Sequence, residues 1–264
     1  MKQMIKLSGW LALAALGAAA GVVGCSGVDG AGEDVYGQTQ AQVLDPVAFC
    51  ENLGVNVIVG TPNSDVLTGT EAADCIVGLG GQDRIDALGG DDVVFGGEGD
   101  DTIDGGAGND RLDGDGGQDP IRGGAGEDSL DGGNGDARLF GGDDADLVVG
   151  GAGQDRLFGE GGDDVVLGGD GDDQVSGGDG DDAVNGQAGN DVVAGDAGND
   201  DLSGATQSGF GELGDDVLLG GEGNDNVVDC ISHNRFDAGP GQDLCQFNPT
   251  ASSAVNCETI VACP

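Results

Sequence analysis

Gly96-Gly97-Glu98-Gly99-Asp100-Asp101-Thr102-Ile103-Asp104 is followed without a break by Gly105-Gly106-Ala107-Gly108-Asn109-Asp110-Arg111-Leu112-Asp113. The two nonads share Gly at positions one, two and four, Asp at six and a large aliphatic at eight, the pattern G-G-x-G-x-D-x-U-x. The same phase runs through 16 nonads from Gly60 to Ser203 and four more from Gly211 to Gln246. Seven of these 20 units match every fixed position, and most of the others depart at the second. A fixed period over this length specifies a solenoid, in which each unit packs only on its neighbours.

Two columns result. Position six is Asp in 18 of the 20 units, with Ala137 and Asn234 as the exceptions. Position eight is Val, Ile or Leu from Leu67 to Val227, and ends in Phe236 and Cys245. Glycine permits the positive φ of a tight loop, and x-U-x is the shortest strand that can point one side chain inward. Each nonad is thus half a coil and two close a turn. The fold predicted is an all-β parallel solenoid of ten turns, roughly 45–50 Å long at one strand spacing per turn, around a narrow aliphatic ladder.

One aliphatic per nine residues offsets only part of the cost of ordering nine glycine-rich residues. Something else must stabilise every turn. A column of Asp beside the carbonyls of glycine-rich loops offers the hard oxygens that Ca²⁺ takes six to eight at a time. Without a cation, like-charged columns repel, so disorder is the competing reading of the metal-free chain. The strict phase argues against disorder as its only state.

These nonads resemble the hemolysin-type, or repeats-in-toxin, calcium-binding repeats, and the similarity covers 180 of the 264 residues. It implies a parallel β-roll with Ca²⁺ between loops of successive turns, held by position-six carboxylates and loop carbonyls. Carried over by position, it implicates Asp83, Asp92, Asp101, Asp110, Asp119, Asp128, Asp146, Asp155, Asp164, Asp173, Asp182, Asp191, Asp200, Asp216 and Asp225. The loop glycines implicated are Gly97, Gly99, Gly106, Gly108, Gly169, Gly171, Gly178 and Gly180. Ala137, Asn234 and Asp144, which stands where a loop glycine is expected, put the sites at their turns in doubt.

The formal charge is −42, from 50 acids and 8 bases. That excludes nucleic acid as a direct partner, and approach to an anionic bilayer needs an anchor or bridging cations. One Trp, one Tyr and seven Phe leave little aromatic surface for stacking.

Residues 1–24 read as an export signal, with Lys2 and Lys6 before an apolar run from Leu7 to Val23. The run is at the short limit of a spanning helix, the competing reading. Its end, Val22-Val23-Gly24-Cys25, resembles the lipobox of bacterial lipoproteins, which implies lipidation of Cys25; ordinary signal cleavage nearby is the alternative. Residues 25–59 follow as a lipid-anchored tether and N-terminal cap, with 26–48 as flexible spacer. The roll spans 60–246, with a seven-residue insertion at 204–210 expected to loop out of the stack, and 247–264 form a C-terminal cap. Setting Cys25 aside leaves Cys50, Cys75, Cys230, Cys245, Cys257 and Cys263. In an oxidising compartment these predict one disulfide at the start of the roll and two at its end, where an open core and strand edge need protection. Zinc binding is the alternative, although no C-x₂-C pair is present.

No catalytic constellation is evident. The one histidine, His233, lies in a degenerate unit, and no H-E-x-x-H, G-x-S-x-G or Walker motif occurs. Carboxylate pairs such as Asp100-Asp101 are products of the repeat, and the segments flanking it hold no separate catalytic domain. The sequence therefore predicts a non-enzymatic, calcium-binding β-roll lipoprotein of the bacterial envelope, at the outer membrane or cell surface, or secreted. A calcium-dependent adhesin or interaction module is the alternative, with no residue pattern naming its surface partner. The mixed residues at positions seven and nine count against a lattice-matching face.

Overall fold

A computed structural model describes residues 45–204, 214–229, 234–247 and 253–262. The readings of residues 1–44, including Cys25, and of Cys230, His233 and Cys263 lie outside these residues. Within them, 23 strands alternate between a 12-stranded and an 11-stranded sheet, odd strands in the first and even strands in the second. Every pairing is parallel. Ile76 lies beside Val94 and Val94 beside Leu112, each step advancing 18 residues, or two nonads. The chain is the parallel β-solenoid predicted, of about ten turns.

Across the insertion the step becomes 25 residues, as in Val193 beside Leu218 and Leu202 beside Val227. The excess equals the seven inserted residues, so both sheets resume in phase. Backbone pairing enforces this, because a one-residue slip would turn the aliphatic column outward.

Most strands are longer than the three residues expected. Thr102–Ala107 is typical, running from position seven through position three of the next nonad. The position-one glycine stays extended, and the position-two residue keeps its register, as with Gly106 beside Gly124. Period-two alternation then places positions six, eight and one on the same inward face. Asp101 and Ile103 are both buried, while Thr102 and Asp104 face solvent. The interior is thus a triple column of Asp, aliphatic and Gly.

The two ends are closed differently. The helix Pro46–Leu53 begins with Asp45, whose carboxylate accepts the Val47 N–H. It packs on the outer face of the first sheet, where Cys50, Cys75 and Val77 form a second small core and Phe49 meets Phe95 edge-on at 6.0 Å. The Cys50–Cys75 disulfide fastens it there. At the other end Phe236 and Cys245 continue the inner ladder fully buried, and Cys245 bonds Cys257. The final strands Ser253–Val255 and Thr259–Ala262 extend both sheets past the last nonad, pairing Ala254 with Phe236 and Ile260 with Cys245.

Candidate metal centres

The position-six carboxylates form two ladders, one along each side of the roll. From Asp83 onward, Oδ1 of each column Asp accepts the backbone N–H of the residue one turn earlier. Asp65 donates to Asp83 at 2.8 Å, Asp83 to Asp101 and Asp101 to Asp119, both at 2.7 Å. On the other side Asp74, Asp92, Asp110, Asp128, Asp146, Asp164 and Asp182 each donate to the next member at 2.7–2.9 Å. The insertion leaves the ladders unbroken, since Asp191 donates to Asp216 and Asp200 to Asp225.

The second oxygen has no such partner. Oδ2 is buried without a hydrogen bond in Asp83, Asp92, Asp101, Asp110, Asp119, Asp128, Asp146, Asp155, Asp164, Asp173, Asp182, Asp191, Asp200, Asp225 and Asp243. Fourteen of these belong to the expected ligand set. Asp243 was not in that set and joins it structurally, and Asp216 does not share the orphaned oxygen. A buried unsatisfied carboxylate oxygen costs more than the 1–3 kcal/mol or so of a neutral group, so fifteen in register call for a common counterpart.

Other oxygens converge beside them. A Cβ placed on Gly96 would lie 2.8 Å from Asp101 Oδ2 and 3.0 Å from the Gly114 carbonyl oxygen, which comes from the next turn. One residue on, the loop glycines turn left-handed. Gly97, Gly106, Gly169 and Gly178 have φ of 103°, 105°, 120° and 123°, and Gly99, Gly108, Gly171 and Gly180 lie between 129° and 146°. At Gly99 a side chain would collide with the Gly81 carbonyl, so turns this close require glycine at the fourth position. Among the described residues no group of three or more His, Cys, Asp or Glu side chains converges on one point. A cation here would take one or two carboxylates and complete its shell with backbone carbonyls. That all-oxygen donor set suits Ca²⁺ and lacks the N and S ligands zinc prefers.

In several of the column's carboxylates burial, first, and neighbouring carboxylates raise the pKa against the lowering effect of the N–H bond. Asp119, Asp128 and Asp146 are pushed up to about 7, and Asp101, Asp155 and Asp173 to about 6. In the absence of metal these groups would hold protons close to neutrality.

The exceptions are informative. Ala137 offers no acceptor to Asp119, and its Cβ stands beside Gly132 where other turns have Oδ2. Asn234 keeps the ladder, its Oδ1 accepting the Asp216 N–H at 2.8 Å. Asp144 adopts φ 75° in place of glycine. In the first two nonads a threonine at position two satisfies Oδ2 internally. Thr61 donates through N–H and hydroxyl to Asp65 at 2.6 and 2.8 Å, and Thr70 does the same for Asp74 at 2.5 and 2.9 Å. At the far end Asp243 donates to Glu258 Oε2 at 3.0 Å, so Glu258 terminates the ladder from outside the repeat. No periodic signal could have marked Glu258.

The RTX calcium-binding nonapeptide repeat matches residues 52–85, 86–121, 113–148, 140–175, 176–210 and 210–227. The chain belongs to this family. No curated protein matches the chain. As an RTX repeat protein it binds calcium with a structural role, and the RTX loops, positions one to six, are the segments that bring the orphaned oxygens together.

Position five of the RTX loops carries an outer, exposed ladder running in the opposite direction. Asp91 Oδ1 accepts from Asn109, Asp100 from Gln118 and Asp163 from Asp181, at 2.9–3.1 Å. Each Asp-Asp pair thus ties its turn to both neighbours, position six toward the preceding turn and position five toward the following one.

Proposed function

We propose that the chain is an extracytoplasmic lipoprotein whose roll is ordered by calcium held along both Asp columns. The observation that carries this is the register of buried, unsatisfied Oδ2 atoms. The groups that would hold the ion are the position-six carboxylates from Asp83 to Asp225 and Asp243, with carbonyls of the loop glycines. Bound there, Ca²⁺ supplies positive charge and hard coordination to oxygens that water cannot reach. The residues themselves supply the scaffold: Oδ1 fixes each carboxylate to its neighbour's N–H, leaving Oδ2 aimed into the loop. The Asp65 and Asp74 turns need no ion, because Thr61 and Thr70 already satisfy them.

The two disulfides support a compartment outside the cytoplasm. No helix of the described residues is long and apolar enough to cross a membrane. Attachment is assigned instead to a lipid on Cys25, a reading that rests on Lys2, Lys6 and the Val22–Cys25 motif. The role is structural rather than catalytic: a stiff, anionic rod on a spacer that orders where calcium is plentiful.

Circular dichroism of residues 26–264 during a calcium titration, with magnesium as control and a calorimetric count of ions, tests the central claim. A cooperative coil-to-β transition specific to calcium supports it. A chain fully folded in chelator, or disordered in millimolar calcium, refutes it. Mass spectrometry of the mature N-terminus tests the anchor, which fails if Cys25 is unmodified.

A further inference from the structure

The six arginines from Arg84 to Arg235 carry all the positive side-chain charge of the described residues, and they are not scattered. Five of them project from the outer face of the second sheet, and four, Arg84, Arg122, Arg138 and Arg156, lie within five consecutive strands, about 19 Å of roll at one strand spacing each. All four are exposed, and none forms an ion pair with a carboxylate among the described residues. On a chain of charge −42, that leaves four guanidiniums together without internal partners.

Two of them, Arg122 and Arg138, are held against an aromatic ring. Phe140 stacks on Phe158 one strand away, with centroids 5.1 Å apart and planes 12° from parallel. The Arg138 guanidinium lies 4.8 Å and that of Arg122 5.3 Å from the Phe140 centroid. Cation–π contact engages the flat face of a guanidinium and leaves its N–H edge free for an oxyanion. Arg122 and Arg138 flank a cleft of about 250 Å³ that is also lined by Arg84, Thr102, Asp104 and Phe140. That volume exceeds a bare ion and approaches the lower end of small-molecule sites.

We propose that this cleft binds an anionic sugar residue, one bearing a carboxylate or sulfate beside free hydroxyls. The three guanidiniums take the oxyanion, and Arg122 and Arg138 arrive already ordered, which lowers the entropy lost on binding. Asp104 and Thr102 determine the rest of the ligand. A carboxylate among the arginines repels a dense polyphosphate or an acidic peptide but accepts hydrogen bonds from sugar hydroxyls. The remaining charge of the roll also disfavours ligands with closely spaced phosphates. Arg156 and Phe158 continue the same surface by one strand, giving an extended acidic glycan a second contact beyond the cleft.

The test uses the calcium-loaded chain, with hyaluronan octasaccharide, glucuronate monomer and a neutral dextran octasaccharide as probes, by calorimetry at two salt concentrations. Binding of hyaluronan that weakens with salt, with dextran silent, is expected, and Arg122→Gln with Arg138→Gln should weaken it at least tenfold while leaving the calcium-induced β signal intact. Phe140→Leu, which keeps both charges, should weaken it less. Equal binding of monomer and octasaccharide would place a single free sugar in the cleft, and preference for the octasaccharide an extended glycan. The proposal is overturned if neither acidic probe binds, if dextran binds equally, or if the double Arg variant binds as the parent does, which would mark calcium bridging to the acidic surface instead.

Discussion

The backbone N–H of Asp83 donates to Oδ1 of Asp101 at 2.7 Å, while Asp101 Oδ2, equally buried, has no donor. One carboxylate thus has two unlike oxygens: one holds the adjacent turn and the other is the proposed calcium ligand. Substitution separates them. Asp101→Asn should keep the turn contact, as Asn234 does, but put an amide nitrogen where the cation needs oxygen. The expected result is an ordered roll with fewer bound calcium ions and a higher calcium midpoint. Asp101→Ala should lose the turn contact as well, at about 1–3 kcal/mol more in calcium-saturated denaturation. Equal behaviour of the two variants would deny the division of labour.

Acid should partly substitute for calcium. Burial pushes Asp92, Asp191 and Asp200 up to about 7 and Asp110 and Asp164 to about 6, against about 3.9 for an unfolded Asp. The folded, metal-free roll therefore binds protons more tightly than the coil does. Stability from this source is complete below about pH 4 and is lost as pH rises through 6 to 7. In chelator, β signal should grow as pH falls from 8 toward 5, and with calcium present the midpoint should rise over the same range as protons compete. A chelated chain that is most ordered at pH 8 would contradict the ladder's electrostatics.

The first turns should outlast the rest in chelator. Thr61 and Thr70 satisfy the Asp65 and Asp74 carboxylates, and the Cys50–Cys75 disulfide fastens the helix beside them. Hydrogen exchange followed by mass spectrometry should show residues 56–80 protected after residues 100–200 have exchanged. Uniform exchange along the roll would show that the threonines do not replace the ion.

Glu160 occupies position two at φ 78°, where every complete repeat has glycine. A side chain in the left-handed region costs about 1–2 kcal/mol, of which glycine's greater unfolded freedom returns about half. Glu160→Gly should therefore raise calcium-saturated stability by about 0.5–1 kcal/mol. No gain in the denaturation midpoint would mean that Glu160 makes compensating contacts.

Removing the Cys50–Cys75 crosslink by double Ala substitution should cost about 3 kcal/mol, from the loop of 25 residues it closes. Its effect should be confined to the helix and the outer face of the first strands, because Cys75 points away from the inner ladder. Loss of Cys245–Cys257 should instead loosen the ladder itself, since Cys245 lies in line with Val227. Exchange rates at Val227 and Phe236 distinguish the two: they should rise only for the second variant.

Everything periodic was legible in the order of the residues. Phase and the two columns specify the coil, its two-nonad turn, the aliphatic ladder and the calcium chemistry, because a linear repeat maps directly onto a stack whose units meet only their neighbours. The length of the seven-residue insertion was equally legible, since it accounts for the 25-residue step by which both sheets keep register. Features that depend on neighbouring turns or on residues outside the period became visible only in the folded coil. Strand length was one such feature, because pairing carries the ladder through glycines that local propensity assigns to loops. Glu258 closing the ladder at Asp243, Thr61 and Thr70 donating to the Oδ2 atoms of Asp65 and Asp74, and the helix lying on the outer face rather than across the open end were others. The gathering of Arg84, Arg122, Arg138 and Arg156 was the last: in the chain they stand up to 72 residues apart, and only the coil's winding stacks them on one face.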